Sequence, residues 1–176
     1  MNRVVIITGG NGDNINADIV TVKGMIEKHL GAIIAESSVR VSAPCGFTAE
    51  RDFLNQVLVV TSELGPYDFL KNIWHIENMY GRRRGTDDEE RAKWETRKRG
   101  ETGYTSRNMD IDILFWNDEV ISTPLLQIPH PLICRREFVL HPLKEVMPDF
   151  VHPVEGISVA RCLDNLLGNN GPHDKN

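Results

Sequence analysis

The sequence predicts an α+β sandwich, in which helices pack on one face of an antiparallel sheet. The chain has 176 residues, 40% of them apolar and 26% charged, so it is long enough for one domain with a substantial core. Short β-branched runs alternate with stretches in which apolar residues recur at helical spacing. Their order is strand, helix, strand, strand, helix, strand. This order is typical of the ferredoxin-like βαββαβ fold, here with C-terminal additions.

The pattern begins with a strand, a turn and a helix. Residues 3–8 form a β-branched apolar run that ends at Gly9-Gly10-Asn11-Gly12. We interpret these glycines as a tight turn and not as an anion-binding loop, because they fit neither GxxxxGK[ST] nor GxGxxG. Apolar residues then recur at helical spacing from Ile15 to Leu30, and Gly31 follows where a helix commonly ends.

The remaining elements follow from the same two periodicities. The sequence predicts strands over 32–41, 53–61 and 109–116 and helices over 67–79 and 158–167. Residues 119–121 could pair with the fourth strand across the turn Asn117-Asp118. A short segment through Leu143 precedes the last helix.

Domain organisation is simple. We expect residues 1–176 to form a single domain, with a long basic loop over 81–107 and a flexible tail over 169–176. The apolar run from Val4 to Ile7 is far too short for a secretory signal or a membrane span, so we expect a cytoplasmic protein. We also expect it to be a monomer or a weak dimer. The three cysteines are widely spaced and form no CxxC, which predicts reduced thiols.

Charge is distributed unevenly along the chain. The net charge is −5, but the loop over 81–107 carries nine Lys or Arg against six Asp or Glu. A basic loop on an acidic body favours a compact anionic ligand over a nucleic acid or a membrane surface. Arginine pairs with phosphate oxygens in bidentate fashion, and we expect ligand contacts from Arg82 and Arg107 at the ends of the loop. For residues 86–101, a solvated insertion of mixed charge is the better interpretation.

Paired aspartates are the sharpest chemical feature. Asp110 and Asp112 are two residues apart in a predicted strand, so both carboxylates point to one face. We expect Met109, Ile111, Ile113 and Phe115 on the other face, and Leu114 and Trp116 on the face of the aspartates. Mg²⁺ prefers one or two carboxylates together with waters and phosphate oxygens, and two such ions can clamp a phosphoryl transfer. The alternative is an ordinary strand with a solvated polar face.

A second group of residues suits a flat heterocycle. Phe53 and Asn55 share one face of the third strand and place a ring beside an amide that can both donate and accept hydrogen bonds. Phe138 and the backbone of Ser42, Ala43, Pro44 and Cys45 could complete such a site. Taken singly, Phe53 and Phe138 are more often core residues. His130, between two prolines and ahead of Arg135-Arg136, could contact a phosphate, although a histidine beside prolines is more often structural.

Together these segments resemble the 6-hydroxymethyl-7,8-dihydropterin pyrophosphokinases of folate biosynthesis, from Val4 to about Pro153. The resemblance rests on R-x-x-D-x-D-I from Arg107, on Pro129-His130-Pro131, and on R-x-F-V-L-x-P-L from Arg136. The early glycine turn, the segment 42–46 and the segment 52–57 add to it. It implies a ferredoxin-like fold, and transfer of diphosphate from ATP to the hydroxymethyl oxygen of the pterin with release of AMP.

The resemblance also implies a role for each candidate residue. Asp110 and Asp112 would hold two Mg²⁺ ions that bridge the triphosphate, with Arg82 and Arg107 orienting the phosphates and stabilising charge. Further ATP contacts are implied for Glu77, Arg84, His130 and Arg136. Phe53 and Phe138 would sandwich the pterin, while Asn55 and the segment Ser42, Ala43, Pro44, Cys45 read its hydrogen-bonding edge.

Two rival classes of function stay open at this point. Another DxD metal-dependent transferase, such as a nucleotidyltransferase or a glycosyltransferase, would use Asp110 and Asp112 without needing Phe53, Asn55 or Phe138. A ferredoxin-like module that binds RNA or metal ions would need a basic or aromatic sheet face, and paired aspartates oppose RNA phosphates.

Overall fold

The protein is described by a computed structural model over residues 1–43, 51–81 and 108–169. The strands are β1 (Asn2–Gly10), β2 (Ala32–Glu36), β3 (Arg40–Ser42), β4 (Phe53–Ser62), β5 (Asp110–Trp116), β6 (Ile121–Ser122) and β7 (Gln127–Ile128). The helices are α1 (Ile15–His29), α2 (Pro66–Met79), α3 (Glu137–Val146) and α4 (Val159–Asn169), with a 3₁₀ turn at Ile133–Arg135. The predicted βαββαβ order and the C-terminal additions are confirmed.

The main sheet is antiparallel and has the order β2-β4-β1-β5, with β3 pairing on β4 along the same edge as β2. β1 lies between β4 and β5, so its glycine end separates the two strands that carry the candidate site residues. β5 is the last strand in this order.

Apolar residues of the sheet form two clusters, one on each face. On one face, α1 and α2 cover the sheet with residues such as Ile26 and Ile73. On the other face, α3 and α4 cover residues such as Val5 and Val59. The C-terminal helices therefore add a third layer, which the sequence pattern did not assign to a face.

A bulge in β5 changes which side chains share a face. The register between β1 and β5 shifts between Val5 and Ile6, and Leu114 is the extra residue. Leu114 and Phe115 consequently both join the cluster under α3 and α4, while Trp116 joins the cluster under α1 and α2. The prediction for Leu114 is confirmed, and those for Phe115 and Trp116 are wrong because strict alternation does not survive a bulge.

Three other local predictions need correction. The strand expected over 32–41 is divided into β2 and β3, which pair with different parts of β4. Residue Ile121 pairs with Ile128 in a separate two-stranded ribbon and not with β5. The short segment through Leu143, to which no secondary structure was assigned, contains most of helix α3, which has Pro142 in its interior.

Two cysteines meet although they are far apart in sequence. The sulfur atoms of Cys134 and Cys162 lie 2.8 Å apart, and both residues are free thiols, as the sequence predicts. Burial and the hydrogen bond to Cys162 raise the pKa of the Cys134 thiol well above its ordinary value. Within the described ranges, no helix combines the length and apolar character that a membrane crossing requires.

Candidate active site

Asp110 and Asp112 lie at the start of β5 and are both half-buried. Asp110 is opposite Gly9 of β1, and Asp112 is opposite Ile7. Since Ile7 belongs to the cluster under α3 and α4, the aspartates share that face, while Ile111 between them belongs to the opposite cluster. The predicted common orientation of the two carboxylates is confirmed.

The register of the sheet places a second predicted residue on the same row. Asn55 of β4 is opposite Gly9, and Gly9 is opposite Asp110. Directly opposed residues in an antiparallel sheet point to the same face, so Asn55 and Asp110 face the same way across one intervening strand. Two strand spacings separate their Cα atoms by about 10 Å.

Gly9 leaves space between these two side chains. A Cβ built on Gly9 would overlap the side-chain oxygen Oδ1 of Asn55 and lie 2.7 Å from the carbonyl oxygen of Leu54. Because Gly9 has no side chain, the amide of Asn55 can lean over it toward β5, which bears Asp110. Sequence reasoning assigned Gly9 only to a turn, because strand register is not visible in the sequence.

Asn55 is held by a hydrogen bond from β3. Its Nδ2 donates to the hydroxyl oxygen of Ser42 at 2.8 Å, and the Asn55 side chain is 6% exposed. Phe53, two residues earlier on β4, is half-buried and lies opposite Ser42. Ser42, Phe53 and Asn55 are thus brought together as the sequence predicts. Ala43 follows β3 and is exposed, while Pro44 and Cys45 lie outside the described residues.

The segment before Ser42 is fixed to α3 by a carboxylate. Glu145 accepts hydrogen bonds from the backbone N–H and the hydroxyl of Ser38, both at 2.8 Å to Oε2, and pairs with the guanidinium of Arg40. These contacts, led by the backbone N–H of Ser38, hold the pKa of Glu145 below its ordinary value. Sequence reasoning missed this anchor, because α3 was not predicted.

Glu77 lies inside the core at the end of α2. The residue has no exposed surface, and its Oε1 accepts a 2.9 Å hydrogen bond from the backbone N–H of Ile111. The structure therefore places Glu77 beside the strand that bears the aspartates, without surface for direct contact with a nucleotide in this conformation.

His130 is attached to the middle of β5. Its backbone N–H donates to the carbonyl oxygen of Leu114 at 3.0 Å, after a cis peptide bond between Ile128 and Pro129. The ring nitrogen Nδ1 accepts the N–H of Leu132 at 3.2 Å. With Nδ1 accepting this N–H, Nε2 is the ring nitrogen positioned to donate to an oxygen acceptor such as a phosphate.

Arg136 and Phe138 lie at the beginning of α3. The guanidinium carbon of Arg136 is 5.6 Å from the centroid of the Phe138 ring, within cation–π distance. Phe138 is half-buried and packs against the cluster under α3 and α4. Both residues therefore belong to the helix layer above the face of the aspartates.

The predicted phosphate contacts also include three arginines of the basic loop. Arg82, Arg84 and Arg107 belong to residues 82–107, which lie outside the described part of the chain. Their proposed phosphate contacts stay predictions.

The carboxylates of Asp110 and Asp112 suit Mg²⁺ but do not fill its coordination sphere. Among the described residues, no group of three or more His, Cys, Asp or Glu is placed to hold a metal ion. Two carboxylates on one face match a Mg²⁺ site whose other ligands are waters and substrate phosphate oxygens. The carboxylates of Asp110 and Asp112 therefore fit the predicted ion.

Comparison with known protein families decides the classification. Residues 5–148 match the sequence model of 7,8-dihydro-6-hydroxymethylpterin-pyrophosphokinase, abbreviated HPPK. The chain belongs to the HPPK family. It is therefore a transferase of the pyrophosphokinase class, and this membership supports a role in folate biosynthesis. The resemblance seen in the sequence is confirmed.

Two curated relatives illustrate the match to the HPPK family. The chain is 36% identical over 147 residues to the 2-amino-4-hydroxy-6-hydroxymethyldihydropteridine pyrophosphokinase of Aquifex aeolicus, covering 82% of each chain. It is 33% identical over 173 residues to the folic acid synthesis protein FOL1 of Dictyostelium discoideum. That alignment covers 98% of this chain and 24% of the longer relative.

Solved structures agree on the fold. The wild-type HPPK-DHPS of Plasmodium falciparum, crystallised with pteroate, superposes with a TM-score of 0.72 at 16% identity. The superposition covers 96% of this chain and 45% of the Plasmodium chain. The ferredoxin-like fold class of the HPPK family is thus confirmed for this chain.

Proposed function

We propose that this protein transfers the terminal diphosphate of ATP to the hydroxymethyl oxygen of 6-hydroxymethyl-7,8-dihydropterin. The pterin oxygen forms a bond to the β-phosphorus as the bond from that phosphorus to the α-phosphate oxygen breaks. AMP leaves, and the hydroxyl proton is released to solvent or a nearby base. The products are the pterin diphosphate and AMP.

One observation carries the proposal. Asn55 and Asp110 face the same way on one row of the sheet, with only Gly9 between them. A two-ring heterocycle with its hydrogen-bonding edge at Asn55 would extend along this face and direct a one-carbon substituent toward the paired aspartates. This arrangement joins heterocycle recognition to phosphoryl chemistry within one site.

The candidate residues divide into two groups around this row. On the pterin side, Asn55 reads the heterocycle edge, with Phe53 and Phe138 as stacking surfaces and the segment Ser42, Ala43, Pro44, Cys45 beside them. On the nucleotide side, His130 and Arg136 offer donors to ATP, and Arg82, Arg84 and Arg107 are expected to contact its phosphates.

Asp110 and Asp112 are the proposed ligands for two Mg²⁺ ions. Bound there, Mg²⁺ would supply charge neutralisation for the triphosphate and for the developing negative charge. The chain's own contribution is to bind the two substrates, to orient them on one sheet face and to exclude water from the reacting atoms.

The rival functions explain fewer features. A different DxD transferase accounts for Asp110 and Asp112 but gives no reason for Asn55 to be buried on the same sheet face and fixed by a hydrogen bond to Ser42. An RNA-binding module is disfavoured, because two carboxylates on the same face repel phosphates. A cytoplasmic, monomeric or weakly dimeric enzyme stays our expectation.

Substitution of the aspartates tests the assignment. We expect Asp110→Asn and Asp112→Asn each to lower turnover by several powers of ten with only modest loss of pterin affinity, because the carboxylates act on the metal and not on the heterocycle. Asp118→Asn is the matched control, since Asp118 is an exposed carboxylate in the turn after β5. Turnover near that of the wild type in both β5 variants would refute the metal assignment.

A further inference from the structure

The geometry points to Glu77 as a positioning residue that fixes the strand bearing Asp110 and Asp112 for metal binding. This inference rests on the proposed function, because it concerns the proposed Mg²⁺ site. It assigns Glu77 an action through the backbone of β5 and not through contact with a substrate.

Burial of Glu77 is the first observation. The residue has no exposed surface although it carries a carboxyl group. Burying a carboxyl group is costly unless hydrogen bonds compensate for the lost water. The backbone N–H of Ile111 supplies one such bond, 2.9 Å from Oε1. The side chain therefore holds a specific backbone group in the core.

The position of Ile111 gives this hydrogen bond its significance. Ile111 lies between the two aspartates, and its N–H belongs to the peptide group that follows Asp110. β5 is the last strand in the sheet order, so its outer edge has no strand neighbour in the described sheet. An edge N–H without a fixed acceptor would bond to water and leave the strand freer to shift. Glu77 supplies a fixed acceptor at that place.

A second contact ties the same two elements together. The side-chain amide of Asn108 donates to the backbone carbonyl oxygen of Tyr80 at 3.1 Å. The end of α2 thus contacts the start of β5 at two points, Glu77 to Ile111 and Tyr80 to Asn108. Two such contacts resist both rotation and sliding of the residues that precede Asp112.

The hydrogen bond from Ile111 makes Glu77 an acceptor for the backbone of β5. α2 packs on the apolar face of the sheet, where Ile73 and Ile76 meet Ile111 and Ile113. The side chains of Asp110 and Asp112 point to the opposite face. Glu77 therefore acts on the backbone of β5 and does not join the carboxylates as a ligand.

Two conservative variants separate these roles. Glu77→Asp keeps the charge but shortens the side chain, which withdraws the acceptor from the N–H of Ile111. Glu77→Gln keeps the length and an acceptor oxygen but removes the charge. Binding of Mn²⁺ in the presence of a non-hydrolysable ATP analogue, measured by titration calorimetry, reports directly on the site.

We expect Glu77→Asp to weaken Mn²⁺ binding by about 10-fold or more, a typical effect of losing a residue that orients a metal ligand. Its kcat should fall while the KM for the pterin stays near the wild-type value. Glu77→Gln should retain most of the affinity. An equal loss of Mn²⁺ affinity in both variants would overturn the inference. Wild-type Mn²⁺ affinity in a folded Glu77→Asp protein would also overturn it.

Controls separate positioning from loss of stability. Ile73→Val removes one methyl group from the same buried helix face and should leave Mn²⁺ affinity unchanged. If Glu77→Asp does not fold, hydrogen exchange in the wild type decides: the Ile111 amide should exchange slowly, and rapid exchange would overturn the inference. A wild-type protein that binds no Mn²⁺ with the nucleotide analogue would instead contradict the proposed function itself.

Discussion

The side-chain oxygen of Asn55 occupies the space that a Cβ on Gly9 would need. The two residues are direct partners in the antiparallel register of β4 and β1. This contact requires glycine at position 9 for reasons of space and not of backbone conformation. The contact therefore links the end of β1 to the orientation of the Asn55 amide, which we propose forms hydrogen bonds with the pterin.

Substitution of Gly9 should therefore damage binding and stability together. We expect Gly9→Ala to lower the free energy of unfolding by about 1–3 kcal/mol, as is typical of overpacking, and to weaken pterin binding as Asn55 is displaced. Urea denaturation and pterin titration by fluorescence measure the two effects. Gly24→Ala is the control, because a Cβ there meets nothing within 4 Å. That helix variant should gain about 0.5–1 kcal/mol. Unchanged pterin affinity in Gly9→Ala would contradict this view of the site.

The hydrogen bond between Ser42 and Asn55 should contribute to pterin affinity. Loss of one such bond typically costs about 0.5–1.5 kcal/mol, so Ser42→Ala should weaken pterin binding by about 2- to 10-fold. Asn55→Ala should weaken it further. The double variant should bind no worse than Asn55→Ala alone, because Ser42 acts through Asn55. Calorimetric titration with the pterin tests this, and strictly additive effects would show that Ser42 acts by another route.

Stability should depend on pH through His152. Its Nδ1 accepts the backbone N–H groups of Val154 and Glu155, and the side chain is buried against Phe115. Burial lowers the pKa of His152 below its ordinary value of 6.5. The unfolded chain then binds the proton more readily than the folded protein.

The contribution of His152 to stability is therefore fully present above pH 6.5 and is lost as the pH falls through the lower folded pKa. Chemical denaturation between pH 5 and pH 8 should show this slope in the wild type. His152→Asn, which keeps a side-chain acceptor but does not titrate, should have a flatter profile. An identical slope in both proteins would assign the pH dependence to other groups.

Cys134 should react slowly with alkylating agents. Because burial and Cys162 raise the pKa of its thiol, little thiolate is present near neutral pH. Peptide mapping after iodoacetamide treatment at pH 8 should show much slower labelling of Cys134 than of a solvent-exposed cysteine in a reference peptide. Cys162→Ala removes the neighbouring sulfur and should speed that labelling. Rapid labelling of Cys134 in the wild type would contradict the hydrogen-bonded thiol pair.

Periodicity and short motifs in the sequence were enough to predict most strands and helices, and the paired aspartates. They could not predict the bulge at Leu114, because a one-residue register shift depends on how β1 and β5 pair. Helix α3 was missed since Pro142 interrupts its pattern, although the helix is well packed on the sheet. Local signals therefore described the elements better than their pairing.

The candidate site was likewise predicted where it depends on local sequence and missed where it depends on strand pairing. The shared face of Asp110 and Asp112 follows from strand alternation alone. The row through Asn55, Gly9 and Asp110 depends on the register of three strands, which no local pattern contains. Burial of Glu77 beside Ile111 likewise needs the packing of α2 on β5.

Product analysis tests the central claim most directly. The wild-type protein is incubated with MgATP, with and without 6-hydroxymethyl-7,8-dihydropterin, and phosphorus NMR with mass spectrometry identifies the products. We expect AMP and a pterin diphosphate in equal amounts, formed only when the pterin is present. Formation of ADP and a pterin monophosphate, or AMP release that does not depend on the pterin, would contradict the claim.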